Sequence, residues 1–200
     1  MNTSAAEYLD KIAPQAPKRR PFQWNMRNII FLAVGAVVLV IIIATISSSL
    51  SSQKTAPWFT LANRLANTET IVKNSSKVIK NSQLRSLNSD LGIYITNTQR
   101  DLAEPFAKLK VTTKGSPASV ARLEGGRNTK MTEQLEIGRL NAKYDSTYAR
   151  EMSYQLSGIL AIYQELYSQS GPLTKKILQD AYNNLEPTQK AMSEFSTATE

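Results

Sequence analysis

The sequence predicts an all-α protein: one N-terminal transmembrane helix, then an antiparallel, up-and-down bundle of about four helices. Three observations predict it. The run Ile29–Ile46, IIFLAVGAVVLVIIIATI, is apolar at every position except Gly35 and Thr45. Beyond it, apolar residues recur at three- and four-residue spacing, with no strand-like alternation. Beta-branched apolar residues thin out to Val72, Val78, Val111, Val120 and a few isoleucines, while Ala, Leu, Gln, Lys, Glu and Arg abound.

Residues 1–27 read as a mostly disordered cytoplasmic tail, broken by Pro14, Pro17 and Pro21. Residues 28–50 read as the membrane anchor. At about 1.5 Å per residue, the apolar run covers about 27 Å, close to a hydrocarbon core of about 30 Å. The run has no polar face, unlike a helix lying on a soluble core. A cleaved signal peptide would carry a shorter apolar region behind a shorter leader, so an uncleaved signal anchor is expected.

Charge sets the orientation. Lys11, Lys18, Arg19, Arg20 and Arg27 precede the run, and only Lys54 and Arg64 follow it closely. Positive charge stays inside, which places the N-terminus in the cytoplasm and the C-terminal part outside a plasma (inner) membrane. Lys18, Arg19, Arg20 and Arg27 are therefore topology residues. Trp24, with Phe22, suits the interface. The Lys18–Arg20 cluster can also meet anionic lipid heads.

Residues 51–56 read as a juxtamembrane linker and 57–200 as the extracytoplasmic bundle. Pro57 suits the first turn of a helix that carries Leu61, Leu65, Val72 and Ile79 on one stripe. Thr68 and Ser75 occupy seam positions there, so the packing face is partly polar. Near Asn81 the chain either turns or runs on. Leu84, Leu87, Leu91, Ile95, Leu102, Phe106 and Leu109 form the next stripe, and Pro105 should kink it. Val111–Ser116 reads as a loop. Val120 and Leu123 make a short apolar set, and Gly125-Gly126 should break it. A long helix is expected from about Asn128 to Ser168. Ser170-Gly171-Pro172 stops and restarts the chain. The last helix carries Leu173, Ile177, Ala181 and Leu185, with Pro187 expected to kink or end it.

The composition excludes much chemistry. The 200-residue chain holds no Cys and no His. A disulfide framework, a thiolate nucleophile, a Ser-His-Asp triad and an imidazole metal site are all excluded. No cofactor and no catalytic residue is expected. Ser51-Ser-Gln-Lys54 matches the S-x-x-K pattern of penicillin-binding enzymes but lacks its partner motifs. Asn74-Ser-Ser76 is a glycosylation sequon, meaningful in a eukaryotic secretory chain.

Two sets of residues invite contact. Counting the seam back from Met152 gives Ala149, Asp145, Ala142 and Gly138. Small residues there would admit a neighbouring helix and turn Asp145 inward, between Tyr144 and Tyr148, as a ligand-binding acid. The plainer alternative is helix drift that turns Asp145 to solvent. Tyr144/Tyr148 and Tyr163/Tyr167 are i, i+4 pairs, suited to lining a groove or to flanking a core. Lys73, Lys77 and Lys80 lie along one flank of the first helix, with Arg85 just after it. The net charge is +8, so this flank could contact polyanions such as anionic lipid or wall polymer. No nucleic-acid-binding motif accompanies it, and nucleic acid is not the expected partner.

The expected function follows from these parts. A single-pass membrane protein would display a non-catalytic helical bundle in the cell envelope as an interaction or scaffolding module. Its partners would be the lipid bilayer and either a second protein or another copy of itself. The alternatives are a small-molecule or glycan site near Tyr144, Asp145 and Tyr148, or a polyanion-binding basic surface.

Overall fold

A computed structural model describes residues 55–198. Every regular element among them is helical. Six helices follow one another: α1 (residues 55–75), α2 (Ser82–Asp101), α3 (Ala103–Lys108), α4 (Ala118–Leu140), α5 (Tyr144–Gln169) and α6 (Pro172–Ala198). Among the described residues no helix is long and apolar enough to cross a membrane. The predicted tail and the anchor at 28–50 lie outside the described residues.

The first stripe forms as its spacing requires. Leu61, Leu65, Ile71 and Val72 are buried on α1, and so are the polar seam residues Thr68 and Ser75. Trp58 is buried too and meets Phe106 edge to face, with ring centroids 6.1 Å apart. The chain turns through residues 76–81, and Asn81 caps α2 by accepting from the Leu84 amide at 3.0 Å. Pro105 ends α2 rather than bending it. A proline ring crowds the carbonyl four residues back, here that of Asp101, where α2 stops. The chain restarts as the short α3.

The expected helix from Asn128 to Ser168 is two helices. α4 ends at Leu140, and α5 begins at Tyr144. Ala142 takes a left-handed φ of 56°. The Lys143 amide reaches back to the Gly138 carbonyl at 2.8 Å, and the Ala142 amide to Arg139 at 3.3 Å. That pairing is a Schellman motif, normally built on glycine. Gly125 and Gly126 do not break the chain. Both sit inside α4, which buries Val120, Glu124, Met131, Leu135 and Gly138 along one side. Pro187 likewise lies inside α6, which runs on to Ala198.

The bundle therefore holds five long helices rather than about four. α5 runs against α1: Tyr144 at its start meets Ser75, and Gln155 further along meets Thr68. α4 and α5 form a tight hairpin, with Gly138 pressed against Thr147. α6 packs on both α5 and α2. α5 is the central helix, burying twelve residues from Thr147 to Leu166.

One ion pair lies within this core. Arg64 on α1 donates to Glu124 on α4 through Nε at 3.1 Å and Nη2 at 3.2 Å. Gly158 on α5 leaves the space that the Arg64 guanidinium fills. Burial of both charges is tolerable because each meets the other in a two-pronged contact.

Candidate functional site

The turn between α1 and α2, the turn between α4 and α5, and the end of α6 meet at one end of the bundle. Between them lies a cleft of about 380 Å³, lined among others by Lys80, Asn81, Arg139, Lys143, Tyr144, Asp145 and Phe195. Helix rise places the start of α1 about 30 Å from this end.

Asp145 organises the cleft. It is half-buried in the first turn of α5. Its carboxylate accepts the Asn81 amide at 2.7 Å and the Lys80 amide at 3.1 and 3.2 Å. It thus fastens the start of α5 to the chain entering α2. A carboxylate suits both positions, since helix N-termini and unpaired amides attract negative charge. Of the two expectations for Asp145, neither holds as framed: it neither enters the core nor floats in solvent.

Its neighbours diverge. Tyr144 is half-buried, and its hydroxyl donates to Ser75 Oγ at 2.8 Å. Tyr148 is fully buried, and its hydroxyl donates to Asn88 Oδ1. Asn88 in turn donates to the Val72 carbonyl at 3.3 Å. The two rings stack nearly parallel, with centroids 6.2 Å apart. Burial pushes both phenols above their ordinary pKa, Tyr148 most strongly. So Tyr144 and Asp145 line the cleft, while Tyr148 belongs to the core. Of the second pair, Tyr163 is buried and Tyr167 is exposed beneath Lys175, whose Nζ lies 5.2 Å from the ring centroid.

The basic residues do not share one helical flank, because α1 ends at residue 75. Lys73 is on the helix and pairs with Glu69. Lys77 is exposed in the turn that follows. Lys80 lines the cleft. Arg85 folds back, donating from Nη2 to the Ile79 and Lys80 carbonyls, each at 3.2 Å. Lys18, Arg19, Arg20, Trp24 and Arg27 lie outside the described residues.

The structure thus joins Lys80 from one predicted set with Tyr144 and Asp145 from the other. It adds Arg139, Lys143 and Phe195, which the sequence did not single out. These three come from two distant segments, so no local pattern marks them. The Asp145 charge is met by backbone amides, and Arg139 holds Glu136 at 2.6 and 2.7 Å. Lys80 and Lys143 are exposed beside them, which leaves the cleft net positive and suited to an anionic group. No protein-family model, curated protein or solved structure matches this chain.

Proposed function

We propose that this chain is a single-pass, membrane-anchored protein that holds a non-catalytic helical bundle outside the plasma (inner) membrane as a contact module. The observation that carries the proposal is the pairing of two unlike parts in one chain. A run at Ile29–Ile46, apolar but for Gly35 and Thr45, is followed, within ten residues, by a helix that opens an all-helical bundle. A tether and a packed bundle are the two parts a displayed contact module needs. The topology, with the basic flank in the cytoplasm, follows from Lys18, Arg19, Arg20 and Arg27.

The test is cross-linking at native expression in intact membranes, followed by gentle solubilisation and recovery of the full chain. A defined cross-linked species, either a second protein or a multiple of this chain, is expected. Monomer alone across cross-linkers and detergents would overturn the contact role.

A second reading rests on the cleft. Lys80, Lys143 and Arg139 surround a 380 Å³ space in which Asp145 is already engaged. That arrangement favours a small anionic ligand, such as a phosphate- or carboxylate-bearing molecule. Binding of such a probe should weaken steeply with salt. Salt-independent binding, or none, would remove this reading.

A further inference from the structure

The geometry points to α4 as a self-association surface that pairs antiparallel with α4 of a second copy. This names the partner within the contact-module reading and rests on it, but it does not depend on the membrane tether.

α4 buries only one side. On its open side the heptad positions a and d are Leu123, Gly126, Lys130, Glu133, Ile137 and Leu140, at spacings of three and four. Leu123 is 66% exposed, Ile137 49% and Leu140 70%. Single exposed apolar residues are ordinary on a protein surface, but these three share one face of one helix. Neither Lys130 nor Glu133 has an ion-pair partner among the described residues.

These six residues complement themselves in one orientation. In an antiparallel coiled coil each a position faces a d position of the other helix. Leu123 then meets Leu140 of the second copy, and Lys130 meets Glu133, each contact occurring twice by symmetry. Ile137 meets Gly126, where a Cβ would touch nothing within 4 Å, so the site has room for the incoming side chain. This also supplies a role for a glycine that costs an isolated helix about 1 kcal/mol. The parallel alternative sets Lys130 against Lys130 and Glu133 against Glu133. Charge therefore selects the antiparallel register.

The experiment uses the full chain in detergent micelles and in membranes. Because the native chain has no Cys, single-cysteine variants report cleanly. Mixed L123C and L140C chains should form a heterodisulfide on mild oxidation. L123C alone should not, because in this register the two 123 positions stand about 25 Å apart. K130E and E133K should each weaken association about tenfold, while the double variant K130E/E133K should restore it. Circular dichroism of each variant confirms that the helices remain. The inference is overturned by L123C homodisulfides exceeding the mixed product, by a double variant as weak as the singles, or by a chain that stays monomeric. Cross-links from α4 solely to a different protein would overturn it as well, while leaving the contact-module reading intact.

Discussion

The guanidinium of Arg64 occupies the volume that a side chain at Gly158 would need. The two residues come from different helices, and their fit decides whether Arg64 can reach Glu124. Gly158→Ala should therefore displace the guanidinium and cost about 3 kcal/mol, since a buried pair loses one partner's position. Arg64→Ala should cost about 3 kcal/mol, because it leaves the buried Glu124 with only the looser Arg127 contact at 3.8 Å. Replacing both charges by apolar residues of similar volume should recover most of that loss. Urea unfolding of the three variants checks this. Equal stability of Gly158→Ala and the wild type would contradict the packing argument.

Gly138 and Thr147 bring α4 and α5 into close approach. A Cβ at 138 would lie 2.7 Å from Thr147 Cβ and 2.5 Å from its Oγ1. Gly138→Ala should destabilise by about 1–3 kcal/mol. Adding Thr147→Ala should not rescue it, because the Cβ of residue 147 is itself too close. Full rescue in chemical denaturation would show that the hydroxyl alone sets the contact.

Ala142 holds a backbone conformation that favours glycine. Its φ of 56° is imposed by the Schellman turn that reverses the chain between α4 and α5. Left-handed backbone costs a non-glycine residue about 1 kcal/mol. Ala142→Gly should therefore raise stability by about 1 kcal/mol, visible as a higher denaturation midpoint. A lower midpoint would contradict the turn described here.

Two buried tyrosines set the alkaline limit of the fold. Burial is the main cause that raises the phenols of Tyr148 and Tyr163 above their ordinary value of 10.0. The unfolded chain releases these protons near the ordinary value, while the folded chain keeps them. Their contribution is fully present below that pH and is lost as pH rises beyond it. The loss is about 1.4 kcal/mol per pH unit for each tyrosine. Tyr148→Phe should flatten the slope by one such increment. It should also cost about 1–2 kcal/mol at neutral pH by leaving Asn88 Oδ1 without its phenol donor. Ultraviolet titration beside pH-dependent unfolding measures both. Ionisation of all eight tyrosines near the ordinary value without unfolding would contradict the burial.

Helical class, the polar seam at Thr68 and Ser75, and the restart near Ser170 were legible because spacing and punctuation carry them. The break at Asn141–Lys143 was not. Its left-handed residue is Ala142, and the asparagine that precedes it is the right-handed C-cap Asn141, so no glycine or asparagine marked the left-handed position. The seam counted back from Met152 stays within α5 as far as Asp145 and crosses the turn only at Ala142 and Gly138, so it did not show that Asp145 stands in the helix's first turn, at the end of the bundle. Gly125-Gly126 misled in the opposite direction, since packing of Glu124 and Met131 carries the helix through. Arg64 and Glu124 sit sixty residues apart, and nothing local pairs them. The cleft was half legible: Lys80 and Asp145 stood out separately, but only the fold joins them.

The bundle is proposed to be tethered to a membrane and displayed on its far side. Protease added to right-side-out vesicles, with an antibody to residues 1–27 as reporter, tests this topology most directly. Residues beyond 50 should be digested while a short N-terminal fragment stays membrane-bound and protected. Protection of the region beyond 50, or release of the intact chain by alkaline carbonate, would contradict it.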